Sequence, residues 1–386
     1  MNFAIIKSDK YDRLINNVLY SALFIHQFAF LFSVSALVTD TGIVSYVHKV
    51  ITLTFVIMCS SIFYYFLRGK FSFKEIAIYI VIAIPLLISL YNYRNVMIIS
   101  NLFYIAMFKN VDARKSMKVV LYATIAGFLF NVLLSIVTKY TGDVGQFRHS
   151  MDIIRHGLGF RYAYFPSYYY MTIVLIYMLT VDKISIKMYM VLLAFNILVF
   201  ILADTKAAFT YTLIAIILHI IFVNHSFNVL DKIFNLLTIM AYPIATLFSI
   251  LFPMLYVKGV PAWEKFNHIV SGRLYLTQNT FNYCGITIWG QTASTWMPGE
   301  RHIDSAIAMT LVQNGIVVLL MSVIFLTFFS YMAVKIKNKP LMIVLAVMAL
   351  RGTFDMGFLT FQLGPVVILF YETLYKFLKE SVKGNC

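Results

Sequence analysis

Charge is what this chain has least of. Only 12% of its 386 residues are Asp, Glu, Lys or Arg, where a soluble domain carries about a quarter. Acidic residues are the scarcer sign, 16 against 31 Lys and Arg. Cysteine is nearly missing, and Cys59, Cys284 and Cys386 form neither a ligand spacing nor a disulfide framework. The sequence has no glycine-rich phosphate loop and no metal motif. It also lacks a polar linker, a low-complexity run and an internal repeat. These absences exclude a soluble enzyme, a secreted disulfide scaffold and a chain of linked domains. They also argue against the duplicated halves of many transporters.

What the chain has is hydrocarbon: 61% hydrophobic residues and a mean hydropathy of +0.83. A bilayer core takes about 20 apolar residues per helix. The apolar runs predict an all-α polytopic bundle of about twelve transmembrane helices. They fall near 15–38, 43–67, 74–91, 93–109, 117–138, 163–181, 187–204, 206–224, 232–256, 305–333, 340–354 and 357–376. The first run is long and lacks a small-residue cleavage site, so it reads as a retained anchor. One domain, 1–386, is expected, with two polar segments, 139–163 and 257–304, too polar for lipid.

The basic residues orient the bundle. With both termini cytoplasmic, 16 Lys and 3 Arg fall inside, against 5 Lys and 7 Arg outside. The inner loops are short and consistently basic, as the positive-inside rule requires. Both polar segments then face outward. Arginine is thus concentrated on the outer side, where topology alone favours fewer cations. Its planar fork matches phosphate oxygens bidentately, which a lysine cannot do. Headgroup contact is the plain alternative; as a set, these arginines point to an anionic substrate at the outer leaflet.

Segment 139–163 carries Arg148, Arg155 and Arg161, with His149 and His156 beside two of them. Gly157 and Gly159 allow a tight turn or a close backbone approach. Tyr162, Tyr164, Tyr168, Tyr169 and Tyr170 are read as an interfacial aromatic belt, ahead of sugar stacking. In 257–304, Pro261 opens a helix with Trp263, Phe266 and Val270 on one face. Ser271 is expected to cap a second helix that places Arg273 in its first turn, with Leu274 and Phe281 on its apolar side. The pair is read as a lid or a structural cap. Glu300, Arg301, His302 and Asp304 follow just before the tenth span. Arg351 and Asp355 are spaced to pair, Gln313 and Asn314 to hydrogen-bond between helices, and Asp204 and Lys206 to form a turn between spans.

A proton acceptor is sought near these cations. His302 and Asp304, beside Glu300, are the first candidates, and His156 is the competitor. A carboxylate among arginines is a weaker base, which favours histidine, and Arg155 is expected to keep His156 neutral. Arg155, Arg161, Arg273 and Arg351, with Lys206 and Arg94, are the anion-binding candidates, and the first four are expected to converge on one outer-leaflet cavity.

Several short motifs resemble those of bacterial O-antigen and capsule repeat-unit polymerases of the Wzy type, a group shared with O-antigen ligases. They are Arg155-His156-Gly157-Leu158-Gly159-Phe160, Ser271-Gly272-Arg273-Leu274, Ile288-Trp289-Gly290, Ile303-Asp304-Ser305 and Gln313-Asn314-Gly315-Ile316, set in a twelve-span layout with a large outer loop before the tenth span. Two departures stand out. Phe165-Pro166-Ser167 replaces a common His-Pro-Asn, and Asp204-Thr205-Lys206 stands where an arginine turn is common. The resemblance implies a glycosyltransferase of the bacterial plasma membrane, independent of metal and cofactor. Its substrate would be undecaprenyl-diphosphate-linked oligosaccharide. A chain-length regulator and a flippase of the same pathway would be partners beside membrane lipid, and nucleic acid would not. A ligase transferring to lipid A core, or a non-enzymatic flippase, is the alternative.

Overall fold

A computed structural model of the chain describes residues 9–93, 97–148, 151–224, 228–291, 303–355 and 364–383. The protein is an all-α, multi-pass membrane bundle. Among the described residues, eight helices are long and apolar enough to cross a membrane. They are α1 (Asp9–Ser33), α3 (Val44–Leu67), α4 (Phe73–Tyr93), α6 (Ala113–Val137), α8 (Ile186–Ala203), α9 (Lys206–Asn224), α10 (Asn228–Leu255) and α13 (Ala306–Lys335). The shorter helices are α2 (Ala36–Thr41), α5 (Met97–Met107), α7 (Phe165–Thr180), α11 (Pro261–Ile269), α12 (Arg273–Cys284), α14 (Lys339–Phe354) and α15 (Phe370–Lys383).

Eight expected spans coincide with the long helices, and α5, α7 and α14 fill three more. The sixteen residues of α7 or α14 rise only about 24 Å, less than a hydrocarbon core of about 30 Å. The last expected span, 357–376, differs where it is described. Pro365–Leu369 is a 3-10 turn, and α15 then carries Glu372, Lys376, Lys379 and Glu380 among its apolar residues.

The helices gather into two compact units. The first comprises the described residues of Met1–Ser72 and Phe103–Ile217, the second those of Phe73–Leu102 and Leu218–Cys386. In the first, α1 packs on α3 and α6, α6 on α7, and α7 on α8. Gly127 lets α1 and α6 approach closely, since a Cβ there would lie 2.9 Å from that of Leu31. Asn131 Nδ2 fastens the contact by donating to the carbonyls of Leu31 (3.1 Å) and Gly127 (3.0 Å). Three tyrosines expected in an aromatic belt, Tyr168, Tyr169 and Tyr170, are instead buried. Helix α7 packs between α6 and α8, and Tyr170 donates to the Leu192 carbonyl at 2.6 Å.

Part of 139–163 is a β-hairpin rather than a loop. Strands β1 (Val144–Arg148) and β2 (Met151–Arg155) pair antiparallel, from Val144 opposite Arg155 to Arg148 opposite Met151. The chain then threads back through Gly157–Phe160. Gly159 N donates to Thr141 O, Ala36 N to Gly159 O (both 2.8 Å), and Arg161 N to Val34 O at 2.9 Å. Gly159 has φ +83°, and a Cβ there would collide with the Asn131 carbonyl. This is the close approach its sequence position predicts.

In the second unit α10 packs on α13, α14 and α12, and α13 packs on α4, α14 and α15. The long α13 is broken at Gly315 (φ +89°, ψ 171°). The strap 287–291 closes the break: Ile316 N donates to Thr287 O (3.0 Å), Val317 N to Ile288 O (3.3 Å) and Gln291 N to Gln313 O (3.2 Å). Non-helical backbone at membrane depth is tolerated only where protein satisfies it in this way. The expected interhelical bond is present as well, Asn314 Nδ2 donating to Ser89 Oγ at 2.9 Å.

Candidate functional site

Two clusters of polar side chains stand out, one in each unit. In the first unit the strand β2 delivers Arg155 and His156 to the corner between α8 and α9. The corner turns sharply because Asp204 takes a left-handed conformation (φ +45°), which Asp tolerates better than most residues. Arg155 is buried against it. Its Nε donates to the Ala203 carbonyl (2.8 Å) and its guanidinium to Thr205 Oγ (2.9 Å). A cation at the carboxyl end of α8 also suits the helix dipole. Lys206 opens α9 on this same corner and is exposed.

His156 is tied to the corner through its backbone, which donates to Leu202 O at 2.9 Å. Its ring is half-exposed, with Nδ1 3.3 Å from Asp143 Oδ1. The same carboxylate oxygen accepts from Gly157 N at 3.1 Å, so Asp143 is fixed before it orients the ring. The charge in contact with His156 is therefore this carboxylate. The guanidinium of Arg155, expected to govern the ring, is spent on the α8–α9 corner. A histidine whose one nitrogen is held by a carboxylate keeps the other for taking a proton. Arg161, farther along, is exposed and lies over the Tyr162 ring at 4.9 Å, with Tyr164 stacked on that ring at 5.5 Å.

In the second unit α11 and α12 lie beyond the end of α10. Pro261 sits in the first turn of α11, and Trp263 and Phe266 close on Phe252 of α10 at 6.1 and 5.5 Å. Glu264 locks the bend before α11 by accepting from Gly259 N (2.9 Å) and the Tyr256 hydroxyl (3.0 Å). The Gly259 N–H, then the Tyr256 hydroxyl, hold its carboxyl below the ordinary carboxylate range. Burial and the adjacent carboxylate push the Tyr256 phenol up. Ser271 does not cap α12. Gly272, at φ +80°, is the cap residue and makes no side-chain bond, while Ser271 itself turns left-handed at φ +60°. Leu274 and Phe281 are buried, as their spacing predicts.

Arg273, in the first turn of α12, donates from Nε to Asp304 Oδ2 at 2.9 Å. Asp304 is not the cap of α13. Ser305 is, accepting from Ala308 N (3.1 Å) and donating to Gly352 O (3.2 Å). Arg351 is fully buried in the last turn of α14 and paired with Asp355 at 2.6 Å. The Asp355 backbone carbonyl in turn accepts from Ala306 N at 3.1 Å. The Arg273–Asp304 and Arg351–Asp355 pairs thus flank the junction where the start of α13 touches the end of α14. A small, partly open groove lies beside Arg273. Arg273, Ser305, Thr353 and Phe252 line it, together with Ser249, whose buried hydroxyl has no partner there. Pro253 also has no N–H for the carbonyl of Ser249, four residues before it. Sequence reasoning missed Ser249 and Asp143 alike.

His302, Glu300 and Arg94 lie outside the described residues, as do His149 and Arg301. Among the described residues no three His, Cys, Asp or Glu side chains gather as metal ligands. No protein-family model matches the chain, and no characterised protein or solved structure matches it either.

Proposed function

We propose that the protein is a glycosyltransferase that polymerises undecaprenyl-diphosphate-linked oligosaccharide repeat units at the outer face of a bacterial plasma membrane, for O-antigen or capsule. The observation that carries this reading is the Asp143–His156 pair. It is a carboxylate-oriented, half-exposed imidazole beside a corner that carries Arg155 and Lys206. Supporting it are the multi-pass architecture and the excess of arginine over lysine in the segments assigned to the outer side.

In this reading His156 takes the proton of the acceptor sugar hydroxyl as that oxygen bonds to the anomeric carbon of the donor. The bond from the anomeric carbon to the diphosphate breaks, and the diphosphate leaves on its lipid with the electron pair. Exposed Lys206 and Arg161 neutralise its charge, the kind of electrostatic help that is usually the largest catalytic term. Arg155 is a positioning residue, because its donors hold the corner. Asp143 fixes the ring. His302, Asp304 and Glu300, which precede α13 in the sequence, are the alternative bases.

The Gly315 break favours a second reading, transport of the lipid-linked saccharide, since transporters place sites at broken helices. Against it, the strap 287–291 occupies the backbone groups that the break frees. Glycan analysis in a strain lacking the gene separates the readings. Surface glycan reduced to single repeat units supports polymerisation. Polymer retained on its lipid carrier means a ligase, and single units trapped on the inner leaflet mean a flippase; either outcome defeats the proposal.

A further inference from the structure

The helix α15 ends in two parallel stripes that the function above does not use. Tyr375, Leu378 and Val382 are spaced i, i+3, i+7 and are all exposed, by 71, 53 and 68%. One position on from each stand Lys376, Lys379 and Lys383; Lys376 and Lys379 are exposed. The opposite face is packed. Phe370 meets Phe325 and Phe329 at 4.9 and 5.6 Å, and Phe377 meets Phe328 and Tyr331 at 6.3 and 5.9 Å.

These contacts fix the level of α15 along its neighbours. Tyr371 shares a hydrogen bond with Tyr79 at 2.9 Å, six residues inside the start of α4 at Phe73. Six residues rise about 9 Å, which puts Phe377 level with Phe73. Tyr331, the other partner of Phe377, is one turn from the end of α13 at Lys335. Residues 378–383 therefore run past the start of α4 and alongside the last turns of α13. A helix that carries an apolar stripe beside lysines at that level is built for the boundary between headgroups and acyl chains.

The charge at this end agrees. Lys74, Lys335 and Lys337 are exposed there. Lys376 pairs with Glu372, and Lys339 with Asp231; Glu380 is the exposed carboxylate of α15. Cations outnumber carboxylates at this end.

We infer that the second half of α15 is a lipid-binding surface, with Tyr375, Leu378 and Val382 seated among acyl chains and Lys376 and Lys379 on the phosphates of anionic phospholipid. A lysine near an anionic surface gains enough to bias binding about fivefold. This inference is independent of the proposed transfer reaction.

The test uses the full chain in nanodiscs, with Cys59, Cys284 and Cys386 changed to Ser and a nitrobenzoxadiazole fluorophore on Val382→Cys. Discs contain phosphatidylcholine alone or mixed with phosphatidylglycerol. The expected result is quenching by headgroup-nitroxide lipid and protection from aqueous iodide, both stronger with phosphatidylglycerol and weakened by high salt. Changing Lys376 and Lys379 to Gln should weaken the phosphatidylglycerol preference, by about fivefold per lysine. The same label on Ile324→Cys, an exposed position on α13, should stay unchanged and report intact folding. Equal iodide access in both lipids would overturn the inference and leave the stripe to a protein partner. So would an undiminished preference in the double variant.

Discussion

At residue scale the division of labour between His156 and Asp143 is the sharpest claim, and it makes a graded prediction. Replacing His156 with Ala should cut polymerisation by about 10²–10⁴-fold, the usual contribution of a general base. Asp143→Asn should keep the ring in place but cost less, because the ring loses its carboxylate and not its nitrogen. Glycan length in a complemented deletion strain, at matched protein levels, reads both. Normal chain length with His156→Ala would transfer the role to His302, Asp304 or Glu300. Glu264 gives a pH prediction. Its carboxyl is held below its ordinary value of 4.5 by the Gly259 N–H and the Tyr256 hydroxyl. A lowered folded-state value stabilises above the ordinary value and is lost as pH falls through the folded one. Fluorescence of Trp263, packed 6.4 Å from the Tyr256 ring, should hold steady from neutral pH down to about the ordinary carboxylate range and change below it. Glu264→Gln should abolish that transition.

Elements are held by contacts that span the sequence. Arg351 and Asp355 clasp the end of α14, and Asp355 grips the start of α13 through its carbonyl. Removing one partner of a buried ion pair costs about 3–5 kcal/mol, mostly from the charge left behind. Arg351→Ala should therefore lower the amount of folded protein, measured by thermal unfolding in detergent. Arg273→Ala, at a partly exposed pair, should leave the melting temperature nearly unchanged. The helices themselves were legible, because runs of apolar residues announce a membrane span without regard to partners. The pairing of Arg351 with Asp355 was legible too, from four-residue spacing. Asp304 with Arg273 was not, since 31 residues separate them. The hairpin at 144–155 escaped because its strands sit in a segment whose polarity suggested only a loop. Ser249 escaped because a serine in an apolar helix ordinarily bonds its own backbone; only Pro253 four residues on and its place on the groove wall make it unusual.

For the whole molecule, the assignment of both termini to the cytoplasm rests on the distribution of lysine and arginine, and accessibility labelling tests it. In a chain lacking native cysteines, a cysteine at Lys258 should react with a membrane-impermeant maleimide in intact cells. One at Lys337, in the turn between α13 and α14, should react only after the membrane is opened. The reverse pattern would invert the topology and place the Asp143–His156 pair on the wrong side for the proposed reaction.

The strap across the Gly315 break also sets an order of biogenesis. The groups that close α13 come from residues 287–291, which leave the ribosome before the helix does. As α13 enters lipid, the segment just ahead of it is already present to meet the freed N–H groups of Ile316 and Val317. The break can thus be sealed within a single hairpin-like insertion event, without waiting for α14 or α15. A chain whose strap were moved downstream of α13 would have to pass through the bilayer with that helix open.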